Sequence, residues 1–171
     1  AAPDVELIFV PFEARREFLD PPERHAFSIG AAVVAPRARG SVRLRGADPA
    51  AAPRIDPNLL GDPDGIDPHV LWEGVQLARQ VAATAPLARW NRGELQPGPQ
   101  ITTPDALLEY AGQRLQTVYH PTSTCRMGSD ARSVVDPSLR VRGVAGLWVA
   151  DASVMPSVPR GHPNAVVSMI A

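Results

Sequence analysis

Two histidines stand in sequence surroundings that present a side chain for chemistry. His120 follows a predicted helix and opens a run of small polar residues in the stretch YHPTSTCRMG, and His162 lies in RGHPNA, after a loop with two prolines. A histidine next to proline or glycine is typical of a stiff turn rather than of a packed core. The imidazole group in general titrates at about pH 6.5. An imidazole that is accessible to a bound molecule can therefore accept a hydroxyl proton near neutral pH. His120 and His162 are therefore candidate acid/base residues.

Other interpretations of these histidines remain open at this point. An isolated histidine is usually an ordinary surface or core residue, and we interpret His25 and His69 in that way. His120 and His162 together suggest a two-ligand metal site, but no third ligand is suitably spaced, and we predict no metal site. Neither Gly-x-Gly-x-x-Gly nor a Walker phosphate-binding loop occurs in the sequence.

Composition indicates one globular domain or the larger part of one. The 171 residues are 44% hydrophobic, and the interspersed charges sum to a formal net charge of −1. This balance argues against nucleic-acid and membrane-surface partners. Cys125 is the single cysteine, which rules out an intrachain disulfide and fits a reducing compartment, so we expect a cytoplasmic protein. The apolar stretch 29–35 is too short to span a bilayer.

The pattern of elements predicts an α+β fold with a mixed, mainly antiparallel sheet flanked by helices. Apolar and alternating runs predict strands, and proline-based start signals predict one helix from Asp67-Pro68 to near Pro86 and another from Thr103-Pro104. The predicted strands and strand-like pieces are 5–10, 26–35, 41–45, 134–135, 139–141 and 147–150, with a proline-rich loop at 46–68. The sequence lacks an initiator methionine and stops in an apolar run, so we expect truncation at both ends.

Four blocks in fixed order resemble the C-terminal signature of the glucose-methanol-choline (GMC) oxidoreductases. These blocks span about fifty residues, and the region 36–57 is also similar to a strand and loop of the family's substrate domain. The blocks are YHPTSTCRMG from Tyr119, VVDPSLRV with GV from Val134, GLWVADASVMP from Gly146 and GHPNA from Gly161. Ser123 departs from the family, where glycine is common, as does Arg160, where serine is common.

The resemblance implies a role for each candidate site residue. His120 corresponds to the family's active-site histidine, and His162 to a second position that is histidine or asparagine in different members. Asp151-Ala152 corresponds to a stretch that touches FAD through its backbone, and Pro163-Asn164 begins a helix next to His162 whose N-terminus faces the flavin. Without the resemblance, Asp151 would be interpreted as a helix or turn cap and Asn164 as a turn residue.

The implied parent enzyme oxidises an alcohol to a carbonyl by hydride transfer to FAD, with a histidine as base. Residues 1–142 would form the substrate-binding domain, and residues 143–171 would return to the FAD-binding domain, whose N-terminal portion is the expected partner besides a small alcohol. Two alternatives stay open. One is a flavin-containing hydroxynitrile lyase of the same family, and the other is a non-catalytic fragment that only binds or supports the FAD domain.

We predict that the 171-residue chain alone binds FAD weakly or not at all. Tight dinucleotide binding depends on glycine-loop and helix-terminus contacts to the pyrophosphate, and the sequence contains no such loop. Isothermal titration calorimetry with FAD tests this prediction. Tight, stoichiometric binding would show that the pyrophosphate site lies within these residues after all.

Overall fold

A computed structural model describes residues 2–15 and 20–171 of the chain. The described residues form small antiparallel sheets and helices, and this mixture agrees with the predicted α+β class. The elements are β1 (Val5–Val10), β2 (Ser28–Val33), β3 (Ser41–Arg43), β4 (Arg54–Asp56), α1 (Ile66–Ala82), α2 (Ala85–Ala88), α3 (Pro104–Ala111), a 3₁₀ turn (Ala152–Val154) and α4 (Asn164–Ile170). No helix among the described residues is both long and apolar enough to cross a membrane.

The chain divides into two compact units. The first contains residues up to Ala38 together with Leu59–Gln116, and the second contains Arg39–Asn58 together with Thr117–Ala171. Each unit has its own pair of antiparallel strands, β1 with β2 in the first and β3 with β4 in the second. The predicted mainly antiparallel sheet is therefore present as two separate two-stranded sheets within the described residues.

Helix α1 packs closely against the β1–β2 sheet of the first unit. In this sheet Val5 lies opposite Val33, and the pairing continues in register to the other end of both strands. A Cβ atom at Gly74 would lie 2.7 Å from Val5 Cγ2 and 3.1 Å from Ala31 Cβ. Glycine at this position therefore allows the helix to approach the sheet more closely than an alanine would.

The core of the first unit lies between α1 and α3. Helix α3 begins as predicted, with Pro104 in its first turn and the Thr103 hydroxyl accepting a hydrogen bond from the Ala106 N–H at 3.3 Å. Leu107 and Ala111 of this helix contribute buried side chains to the core. The buried residues are Leu71, Leu107 and Ala111, and the partly buried residues around them are Ala31, Val33, Leu60, Trp72, Val75, Ile101 and Leu115.

Helix α1 does not begin at the predicted signal Asp67-Pro68, and Asp67 is not its N-cap. The helix begins at Ile66, after Gly65 with a φ of 68°, and the Asp62 carboxylate accepts hydrogen bonds from the N–H groups of Ile66 at 2.6 Å and Asp67 at 3.1 Å. Burial raises the pKa of Asp62, but these donors, the Asp64 N–H and the charge of Arg37 together lower it below its ordinary value. Asp62 therefore satisfies the free N–H groups of the first turn.

Asp67 instead ties the segment after β2 to the start of α1. Its side chain is only 2% exposed, and its carboxylate accepts hydrogen bonds from the Arg37 N–H at 2.9 Å and from the Ala38 N–H at 2.8 Å. Buried carboxylates persist in proteins when hydrogen-bond donors surround them. This pair of donors explains the burial of Asp67.

The second unit contains a strand that the sequence did not predict. Strand β4 lies inside the proline-rich stretch 46–68 and pairs with β3, so that Val42 lies opposite Ile55. A Cβ atom at Gly40 would clash with the Asp56 carbonyl oxygen and with Pro57. Glycine is thus required where the chain enters β3 beside the end of β4.

The three predicted strand-like pieces near the end of the chain form single bridges rather than strands. The bridges join Met127 to Val135, Val135 to Val141 and Arg140 to Trp148. Leu139, within the second piece, has a φ of 63°, and Gly143 and Gly146, between the second and third pieces, have φ values of 77° and 74°. Left-handed residues bend the backbone away from an extended path, so longer ladders cannot form.

We predict that Asp67→Ala destabilises the fold by about 2–3 kcal/mol, because the Arg37 and Ala38 N–H groups lose a charged acceptor. Asp64→Ala is the matched control, since the Asp64 side chain is 70% exposed and forms only a 3.6 Å ion pair with Arg37. Its expected effect is below about 0.5 kcal/mol. Urea unfolding of the unmodified chain and the two variants measures both changes in the free energy of unfolding. Equal losses for the two variants would contradict a structural role for the buried carboxylate.

Candidate active site

His120 is presented by a tight turn of the second unit. The His120 N–H donates a hydrogen bond to the Thr117 carbonyl oxygen at 3.0 Å, and the two residues between them have positive φ values of 50° for Val118 and 60° for Tyr119. Ser123, three residues after His120, has a φ of 75°. Non-glycine residues rarely adopt this conformation, and such positions cluster at functional sites.

Backbone hydrogen bonds join the segment after His120 to the segment of Asp151 and Ala152. The Cys125 N–H donates to the Ser153 carbonyl at 3.0 Å, and the Met127 N–H donates to the Val154 carbonyl at 2.8 Å. Val154 is completely buried at this junction. Two of the four sequence blocks that resemble the GMC family therefore lie side by side.

The two candidate histidines meet in the structure. The ring centroids of His120 and His162 are 5.0 Å apart, and the rings are nearly perpendicular, at 84°. His120 is partly buried and His162 is exposed, so the pair is open to solvent on one side. Imidazole rings in this arrangement can both reach a single oxygen atom of a small molecule. The two candidate acid/base residues of the sequence therefore lie side by side in the fold.

The remaining candidate residues occupy short helical pieces. Asp151 caps the 3₁₀ turn that begins at Ala152, and its carboxylate accepts hydrogen bonds from the N–H and the hydroxyl of Ser153. These hydrogen bonds, first that of the hydroxyl and then that of the N–H, lower the pKa of Asp151 below its ordinary value. Pro163 precedes α4 and is buried, and Asn164 is the first residue of that helix, as expected.

The other two histidines are ordinary exposed residues. His25 lies in an irregular segment before β2, and His69 lies in the first turn of α1, where its N–H donates to the Gly65 carbonyl oxygen at 3.3 Å. Across residues 2–15 and 20–171, no group of three or more histidine, cysteine, aspartate or glutamate side chains is placed to hold a metal ion.

Two sets of polar contacts that the sequence did not predict hold the loop after His120. Arg126 makes a two-pronged ion pair with Asp130, with N–O distances of 2.9 and 2.7 Å, and this contact strongly lowers the pKa of the Asp130 carboxyl. Arg142 donates to the Gly128 carbonyl at 2.7 Å and to the hydroxyl of the buried Ser133 at 2.9 Å. The segment 126–130 is not helical, so the four-residue spacing of Arg126 and Asp130 carried no sequence signal for this pair.

Comparison with known proteins identifies the family of this chain. A model of the GMC oxidoreductase family matches residues 36–171, and the chain belongs to this family. More specifically, it corresponds to the family's C-terminal domain. The GMC family is FAD-dependent.

Individual relatives support this assignment. An uncharacterized GMC-type oxidoreductase of Mycobacterium tuberculosis is 47% identical over 164 residues, which are 95% of this chain and 31% of that protein. Choline oxidase of Arthrobacter globiformis is 44% identical over 152 residues, 88% of this chain and 28% of the oxidase. The crystal structure of pyridoxine 4-oxidase from Mesorbium loti matches with a TM-score of 0.79 and 31% identity, over 88% of this chain and 30% of that one. The chain thus spans about 30% of the length of these relatives.

The positive φ of Ser123 predicts an order of stability among its variants. Ser123→Gly should be more stable than Ser123→Val by about 1–2 kcal/mol, because only glycine adopts the left-handed conformation without steric cost. The order should reverse at the neighbouring exposed Thr124, where valine fits an ordinary backbone and glycine adds freedom to the unfolded chain. Thermal unfolding of the four variants tests both orders. The same order at both positions would argue against a special backbone at Ser123.

Proposed function

We propose that this chain is the C-terminal part of an FAD-dependent oxidoreductase that acts on CH–OH groups. The observation that supports the proposal most directly is the edge-to-face pair of His120 and His162, with ring centroids 5.0 Å apart. One relative named above is choline oxidase, and choline carries a hydroxyl group. We therefore infer that the substrate of the whole enzyme is a small alcohol.

The histidine pair performs the proton chemistry in this proposal. An imidazole nitrogen of His120 takes the proton from the substrate hydroxyl, and a ring N–H of His162 donates a hydrogen bond to the same oxygen. Two groups on one oxygen fix its position and stabilise the negative charge that develops there. Since His120 is the more buried of the two, it is the better shielded from competition by water.

Two of the candidate cofactor residues are open to a bound FAD. His162 and Asn164 are exposed, and the backbone of the Asp151–Ala152 turn lies beside the segment that follows His120. We infer that Asp151, Ala152, His162, Pro163 and Asn164 contact the cofactor. Bound beside these residues, FAD would supply the hydride acceptor for the substrate carbon. The pyrophosphate must be held by another part of the enzyme, because no glycine-rich loop occurs in this sequence.

An exposed apolar surface on the second unit supports the inference that a partner covers it. Val144, Leu147 and Trp148 are 51%, 48% and 54% exposed, and they line a shallow groove with Arg140 and Arg142. Exposed apolar groups gathered in one place mark interaction surfaces. The relatives are about three times as long as this chain, and we infer that the N-terminal FAD-binding portion of the enzyme covers this groove.

The domain boundary belongs to the same proposal. In the whole enzyme, residues 1–142 would form the substrate-binding domain, while residues 143–171, which include the exposed apolar side chains, would complete the FAD-binding domain. The isolated chain is expected to be inactive. A cytoplasmic location remains a prediction from the single cysteine and the sequence composition.

In the complete enzyme, we expect His120→Ala to slow flavin reduction by a saturating alcohol by roughly 10²–10⁴-fold, with a much smaller effect on substrate binding. His162→Asn should be milder, because an amide can also hydrogen-bond the substrate oxygen. His69→Ala, an exposed histidine on α1, is the matched control and should be neutral. Stopped-flow spectroscopy with choline and a series of primary alcohols measures the rates.

Two results would contradict these roles. If His120→Ala kept nearly the full rate while His162→Asn lost it, the acid/base assignment would be reversed. If the enzyme released cyanide from a hydroxynitrile while its flavin stayed oxidised in the presence of alcohols, it would be a lyase rather than an oxidoreductase.

A further inference from the structure

The turn that presents His120 has an unusual sequence for its geometry. Thr117–His120 is closed by the hydrogen bond from the His120 N–H to the Thr117 carbonyl oxygen at 3.0 Å, and both central residues have positive φ values. Positive φ at both central positions is the pattern of a type I′ turn, which favours asparagine and glycine. Valine and tyrosine occupy these positions here. Left-handed backbone costs non-glycine residues about 1–2 kcal/mol each, so other contacts must hold this turn.

Burial of apolar surface at the two central residues is limited. The side chains of Val118 and Tyr119 are 39% and 68% exposed. A β-branched residue such as Val118 is especially disfavoured in the left-handed region.

Thr117 supplies two hydrogen-bond acceptors to the turn. Its hydroxyl oxygen accepts a hydrogen bond from the Tyr119 N–H at 3.2 Å, in addition to the bond between its carbonyl oxygen and the His120 N–H. One residue thus binds two consecutive N–H groups immediately before the imidazole. Local side-chain bonds of this kind stabilise turns against the alternatives open to the backbone.

We propose that Thr117 is a positioning residue that directs the His120 imidazole toward His162. If the turn relaxed to negative φ values, the backbone at His120 would rotate and the 5.0 Å approach of the two rings would be lost. The catalytic consequence of this inference rests on the proposed function, whereas the geometric consequence does not. The two are therefore tested by separate measurements.

The geometric test is made by NMR on the 171-residue chain. The unmodified chain should show a nuclear Overhauser cross-peak between the two imidazoles and slow exchange of the Tyr119 and His120 amides. Thr117→Val keeps the shape of the side chain but removes the hydroxyl acceptor, and it should lose most of the cross-peak and speed exchange at Tyr119. Thr117→Ser should restore both signals. Val118→Asn, which suits a type I′ turn, should keep the cross-peak and raise the melting temperature.

Several outcomes would overturn the positioning role. These are absence of the cross-peak from the unmodified chain, its full retention in Thr117→Val, and failure of Thr117→Ser to restore it. If Thr117→Val does not fold, amide exchange in the unmodified chain decides, because rapid exchange at both Tyr119 and His120 would show that the turn is not held.

The catalytic test uses the complete enzyme. Thr117→Val should lower kcat by roughly 10- to 100-fold with little change in KM, since small misplacement of a catalytic group costs mainly the chemical step. Thr117→Ser should recover most of the rate. Loss of the cross-peak with an unchanged kcat would contradict the acid/base role of His120 while leaving the positioning by Thr117 intact. An unchanged cross-peak would contradict the positioning itself.

Discussion

The candidate active site depends on two backbone hydrogen bonds between segments that are far apart in the sequence. Cys125 and Met127 donate to the carbonyl oxygens of Ser153 and Val154, and the completely buried side chains of Val135 and Val154 pack in the same region. Val154 is completely buried and Cys125, Met127 and Ser153 are partly buried, so water has limited access to these bonds. They fix the segment after His120 relative to the segment that leads to His162, and so bring the two histidines into the same region.

Around this fixed junction, the loops are held by polar contacts rather than by a large apolar core. Arg126 with Asp130, and Arg142 with Ser133 and Gly128, bracket the loop that follows His120. Isolated surface ion pairs contribute little to stability, but a network anchored on backbone carbonyls also restricts loop geometry. The second unit thus combines a strained turn with a rigid support, an arrangement expected where a side chain must be held in one orientation.

Sequence reasoning was successful where one local signal dominates. Thr103 followed by Pro104 gave the start of α3, and the apolar run at β1 gave its bounds. It failed where two signals compete. Asp62 and Asp67 both stand near the start of α1, and only the folded backbone determines which carboxylate reaches the free N–H groups. Strand β4 was missed because Pro53 and Pro57 flank it, and the left-handed Val118 was missed because valine carries no turn signal.

The order of the two units along the chain has a consequence for its synthesis. Strands β3 and β4 belong to the second unit, but they are made before α1 and α3 of the first unit. A ribosome producing this chain would therefore release the β3–β4 hairpin long before residues 117–171 exist to join it. The first unit can collapse around Leu71 and Leu107 while the histidine-bearing unit is still incomplete. Of the two units, the one proposed to carry the chemistry is thus completed second.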